Sequence, residues 1–304
     1  MTTRSNSNYL HSQSGSWMVL AAAICWGTTG TAQAYAPDGA NPLVIGAVRM
    51  VIGGLFLLVF ALLRGSFHRG EHWPVLPTLL AGLSMVGYNL LFFSGVARTG
   101  VAVGTLVGIG STPILAGLLG YIVFRERPNR WWVGATVLAV IGCGLLISAD
   151  SSLQGDLLGI LLAIGAGFSY AVFTVVSKGL LDDHEPEAVM GLSFIIGAVI
   201  VLPVLFRGEL AWVSNPAGIG VALHLGIITN AFAYSLFARG LKLVSVATAA
   251  TLTLGEPLTA GLLAIFLLGE QLTIGTFVGI LLLFSGLVLV TYGQNRSHHP
   301  LLAD

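Results

Sequence analysis

Residues 113–126, PILAGLLGYIVFRE, and residues 257–270, PLTAGLLAIFLLGE, are two versions of one segment. They share Pro113/Pro257, Ala116/Ala260, Gly117/Gly261, Leu118/Leu262, Leu119/Leu263 and Glu126/Glu270 in register. Upstream, Asn89 and Ala97-Arg98 match Asn230 and Ala238-Arg239 at a slightly shorter offset. The chain is therefore a tandem duplication. Each copy lies in an apolar stretch of membrane-spanning length, which is about 20 residues. With an odd number of spans between the copies, the two face opposite ways across the bilayer. That arrangement is the sequence sign of alternating access.

Composition agrees. Of 304 residues, 55% are hydrophobic and 9% charged, against about 25% charged in a soluble domain. Mean hydropathy is +0.90. Net charge is zero, so no basic footprint for nucleic acid exists. Cys25 and Cys143 lie in apolar runs without the paired Cys/His spacing of a metal site or a disulfide framework. Forty glycines suit membrane helices whose backbones approach closely.

Apolar windows predict ten spans, near 16–36, 42–63, 75–97, 101–124, 131–149, 156–178, 188–206, 217–238, 245–268 and 273–293. Residues 1–15 and 294–304 read as tails, 16–149 as the first repeat (spans 1–5) and 156–293 as the second (spans 6–10). With the N-terminus inside, Arg4, Arg64, Arg69, Arg125, Arg127, Arg130, Lys178, Arg239, Lys242 and Arg296 are cytoplasmic. Only Arg98 and Arg207 then face out, while Arg49 stays within a span. The outer loops instead carry Asp38, Asp150, Asp156, Glu209 and Glu270. This positive-inside bias puts both termini in the cytoplasm.

The order and spacing of Cys25-Trp26-Gly27, Arg49, Pro113 to Glu126, and Gly255-Glu256-Pro257 to Gly269-Glu270 resemble the drug/metabolite transporter superfamily, EamA type, over about residues 17–292. The resemblance implies an all-α integral membrane fold: ten transmembrane helices as two inverted five-helix EamA repeats around a central cavity. It also implies export of small metabolites across the inner membrane, amino acids foremost, with other amines, drugs or sugar derivatives as alternatives. The chain departs from internal symmetry at one position, where Thr112 stands in the first repeat for Glu256 in the second.

Ionisable residues at bilayer depth usually face a cavity or a partner. Glu256 is mid-span and precedes Pro257. It either exchanges a proton as access switches or satisfies backbone groups freed by the proline. Arg49 is either a clamp for a substrate carboxylate or a buried structural charge. His224 at similar depth is either a proton relay or a hydrogen-bonded core residue. Pro113 and Pro257 are matched candidates for hinges or for static bends.

Residues three and four apart share a helix face. By that spacing Trp26 and Gln33, Ser84 and Tyr88, Tyr170 and Phe173, and Asn230 and Tyr234 line a candidate substrate cavity, together with Asn89, the neighbour of Tyr88 mid-way along the third span. An unpaired amide in hydrocarbon is costly, so Asn89 and Asn230 need partners or water. Small residues recur every four positions from Gly100 to Gly120 and from Gly155 to Ala171. These are packing faces and lack the lysine of a phosphate-binding loop. No HExxH, GxSxG or second mid-span carboxylate points to an enzyme, and no ATP-binding motif is present. No cofactor, catalytic residue or metal is expected. The expected partners are a small-molecule substrate and the lipid bilayer, with no nucleic acid and a monomeric chain.

Overall fold

The computed structural model describes residues 2–68, 72–148, 156–269 and 271–297. Glu270, Asp150 and Arg69 lie outside the described residues. The chain is all-helical: α1 (Thr2–Ala34), α2 (Pro42–Leu63), α3 (Val75–Phe124), α4 (Arg130–Ser148), α5 (Leu157–Leu181), α6 (Pro186–Arg207), α7 (Pro216–Leu223), α8 (Ala233–Leu243), α9 (Val246–Leu252), α10 (Gly255–Leu268) and α11 (Ile274–Ser297). A 3-10 turn (Ala211–Ser214) precedes α7, and a π-helix (His224–Phe232) joins α7 to α8.

Local chemistry starts and stops these helices. Asn41, Asp156, Asn215 and Ser245 accept backbone N–H bonds as N-caps of α2, α5, α7 and α9. Pro42, Pro186 and Pro216 stand in the first turns they are suited to. The third and fourth predicted spans, Val75–Gly100 and Val103–Phe124, are two helices that meet at a kink within α3, at Gly100, whose φ of 82° and ψ of 161° suit glycine. The ninth is divided in two at Thr253-Leu254, between α9 and α10.

Eight helical segments are long and apolar enough to cross a membrane. The apolar stretch of α4, Arg130–Leu146, is shorter. The apolar part of α1 is diluted by Trp26, Gly27, Thr28, Thr29, Gly30, Thr31 and Gln33. Large apolar side chains such as Leu63, Phe206, Phe266 and Ile274 are exposed on the outer surface, the surface a bilayer covers.

The two repeats do not form separate bodies. The main packing partners are α3 with α5, α4 with α11, α2 with α6, and α1 with α8 and α10, all across the repeats. Glycines permit that closeness. A Cβ on Gly142 of α4 would come within 2.5 Å of Leu283 N on α11, and one on Gly279 within 2.7 Å of Leu146 N. The four-residue ladders pack α3 on α5: a Cβ on Gly167 would lie 2.7 Å from Gly108 O, and one on Gly95 3.0 Å from Ala163 N.

Candidate functional site

Between the repeats, mid-span polar residues converge. Asn230 Nδ2 donates to Arg49 O at 2.9 Å, tying the π-helix to α2. The Arg49 guanidinium donates to Asn89 Oδ1 at 3.5 Å, and Asn89 Nδ2 donates to Met85 O at 2.9 Å. The matched asparagines thus hold the one mid-span arginine from both repeats. Glu256, in the first turn of α10, is within electrostatic reach of Arg49, Tyr88, Tyr170 and Tyr234. A carboxylate at a helix N-terminus is favoured by the helix dipole.

Arg49, Tyr88, Asn89 and Glu256 keep partial exposure although they lie inside the bundle, so a water-accessible chamber reaches them. A Cβ on Gly30, one turn beyond Trp26, would meet nothing within 4 Å. By contrast, Trp26, Tyr170, Phe173, Phe194, Tyr234 and Phe237 are all buried. Their rings pack in tilted and edge-on pairs, Trp26–Tyr234 at 4.8 Å and Phe194–Tyr234 at 4.6 Å between centroids. Trp26 Nε1 donates to Thr229 O at 2.8 Å, and Tyr88 packs against Tyr170 in a tilted pair at 5.2 Å between centroids. These aromatics seal the floor of the chamber.

His224 Nε2 is 2.8 Å from Thr28 Oγ1, between the π-helix and α1. Ser84 is buried on α3 one turn before Tyr88. Gln33 is half-buried near the C-terminal end of α1. Neither Ser84 nor Gln33 joins the hydrogen-bonded network. Pro113 lies inside α3, which continues through it without non-helical dihedrals. Its counterpart Pro257 directly follows the break between α9 and α10, so the matched prolines sit in unlike helices.

Below the floor, ion pairs close the far end. Arg239 pairs with the buried Glu187. Lys178 Nζ donates to Leu241 O at 3.0 Å and to Val244 O at 2.5 Å. At the Gln33 end, Arg98 pairs with Asp156 at 2.7 Å. Arg98 and Arg239, matched in the two repeats, thus both carry specific partners.

Three features of the site have weak sequence signals or none. The π-helix over His224–Phe232 is a register change that no residue type announces. Phe194 and Met85 are ordinary apolar residues until folding brings them to Tyr234, whose hydroxyl lies 3.8 Å from Met85 Sδ. Phe237 was findable, being one turn from Tyr234.

The EamA-like transporter family matches residues 13–148 and 157–292, one repeat each. The chain belongs to that family, and so to the drug/metabolite transporter superfamily; it is a multi-pass membrane transporter rather than an enzyme. It is 44% identical to the uncharacterized transporter YwfM of Bacillus subtilis (strain 168) over 92% of this chain and 95% of that protein. It is 31% identical to the threonine/homoserine exporter RhtA of Escherichia coli (strain K12), over 75% of this chain and 74% of that one. A solved structure titled "Crystal structure of protein" superposes with a TM-score of 0.80 at 22% identity, covering 93% of this chain and 98% of that one. This last likeness supports the fold.

Proposed function

We propose that the protein is a secondary-active exporter of amino acids, small neutral or aromatic, working by alternating access across the bacterial inner membrane. The observation that carries this reading is that between the repeats one arginine and one carboxylate, Arg49 and Glu256, stand within electrostatic reach of each other beside the half-buried Tyr88 and Asn89. Arg49 suits an α-carboxylate, which guanidinium binds by charge-assisted hydrogen bonds. Glu256 suits an ammonium, or a proton carried in exchange. The tyrosines suit an apolar or aromatic side chain. A phosphate ester would call for more cations at this depth. The relative whose name states a substrate exports threonine and homoserine, which agrees with this chemistry.

In this reading α1 and α4 also cross the membrane, giving ten spans with both termini in the cytoplasm and a monomeric chain that encloses its own path. The chamber then opens outward and the aromatic floor faces the cytoplasm. Pro113 and Pro257 flank the parts of α3 and α10 that move when access changes.

Counterflow in proteoliposomes tests the proposal. Vesicles preloaded with unlabelled amino acids are expected to take up labelled threonine, alanine or phenylalanine saturably and only when protein is present. Exchange confined to amines or drugs without a carboxylate would replace the amino-acid reading with multidrug efflux, which the aromatic floor would also serve. Conductance without saturation would make the chain a channel.

A further inference from the structure

The repeat signature contains a carboxylate, Glu126, that the chamber does not use. It lies just past the end of α3, at the end of the molecule that carries Lys178. Its Oε2 accepts the Val246 N–H at 2.8 Å, so a side chain from the first repeat caps the first turn of α9 in the second. Lys178 of α5 stands 3.8 Å from the other oxygen while donating to the carbonyls that end α8. Trp132 Nε1 completes the junction by donating to Ala247 O at 2.9 Å. The preceding residue, Arg125, has φ 56°, a left-handed conformation that costs a non-glycine residue free energy. That turn folds Glu126 back over α3 and aims it at α9. Glycine takes the matching position, Gly269, in the second repeat.

We propose that Glu126 is the latch of the closed end: its carboxyl group holds α9 of the second repeat to the first, and it releases Val246 N–H when the chamber opens on that side. As a gate it rests on the alternating-access reading above. No other side chain among the described residues accepts a bond from the α9 N-terminus across the repeats. The junction surrounds a cavity of about 300 Å³ that also exposes Arg127 and Lys242, so water reaches the latch.

Charge decides the direction of its control. Burial pushes the Glu126 carboxyl above its ordinary range, against the pull of Lys178 and the Val246 N–H. Asp182 lies beyond, within reach of Lys178. Lys242 on α8 and Arg127 on the same turn are the other charges lining this cavity, while α4 and α9 contribute Trp132 and Thr248. The closed form therefore binds a proton more readily than an open form in which Glu126 meets water. By linkage, acid on this side favours closure, and a rise of pH through the elevated Glu126 value favours opening.

The test uses the full chain with Cys25→Ser and Cys143→Ala, and a reporter at Ser177→Cys. Ser177 is fully buried beside Lys178 and its hydroxyl has no partner. Labelling by a water-soluble maleimide, normalised to the same protein unfolded at each pH, reads opening of this end without substrate. With Glu126 intact, labelling is expected to accelerate as pH rises. Glu126→Gln, a neutral acceptor, should stay slow and lose the pH step. Glu126→Ala, with no acceptor, should label about tenfold faster than the glutamine variant at every pH, the effect of losing one hydrogen bond. A glutamine variant as fast as alanine, or an unchanged pH step in it, overturns the latch. If the alanine variant does not fold, the glutamine pH profile still decides. Counterflow by the parent protein is measured alongside. Exchange with an unaltered labelling pattern removes the latch alone, and the expected labelling without exchange removes the transport reading alone.

Discussion

Arg49 shows how one charge is kept at bilayer depth. Its side chain reaches Asn89 and its carbonyl receives Asn230, so each repeat supplies one amide. Under the proposed function, Arg49→Gln should raise the half-saturation concentration for amino acids about ten- to a hundredfold, the range expected when a hydrogen bond to a charged group is lost. It should leave decarboxylated amines nearly unaffected, and competition counterflow separates the two. Glu256→Gln is expected to keep exchange at equal pH and to lose stimulation by a pH gradient; unchanged stimulation would remove the proton-coupling role. Trp26 belongs to stability as well as to the floor. Trp26→Phe gives up the bond to Thr229 O and should cost about 0.5–1.5 kcal/mol, while Trp26→Ala should cost about 3–5 kcal/mol, as read by thermal unfolding in detergent.

At the scale of elements, close approach of backbones is the main device. Lipid tails are as apolar as leucine, so helix association relies on packing rather than on escape from water. The α4–α11 contact depends on Gly142 and Gly279, each facing the other helix's backbone. Gly142→Val should push the two helices apart and lower stability by about 1–3 kcal/mol, again read by thermal unfolding. Gly30→Ala, where a Cβ meets open space, is the control and should change stability little. Two elements depart from regular helix: the π-helix, which holds Thr229 and Asn230, and the break before α10, which puts Glu256 in the first turn of a new helix. Such interruptions free backbone groups and are tolerated at membrane depth where they line protein or water. Both border the chamber.

For the whole molecule, the positive-inside distribution and the pairing of ends make one prediction. Described basic residues Arg64, Arg127, Lys178, Arg239 and Lys242 line the two cavities of the closed end. Single cysteines at Arg127 and Lys242 should be labelled by impermeant reagents from the cytoplasmic side of inverted vesicles. A cysteine at Asp38 should be labelled from the opposite side. The reverse pattern would invert the proposed direction of opening.

The sequence by itself determined the duplication, the all-helical membrane class and the family. These rest on composition, period and repeated segments, which are local or one-dimensional properties. It also singled out Arg49, Asn89, Asn230, Glu256 and the tyrosines, because polar groups in apolar spans are costly and therefore conspicuous. Tertiary structure alone decided which of them meet. Asn230 and Arg49 are 181 residues apart in the chain, and no pattern in one span records a partner in another. It also showed that matched sequences adopt unlike local structures: the part of α3 after Gly100 stays helical through Pro113, while Pro257 follows an interruption. Two repeats that share a motif can still differ in local structure. That difference resides in packing between helices, where a one-residue shift of register or a break in a helix costs little locally and changes every contact across the interface.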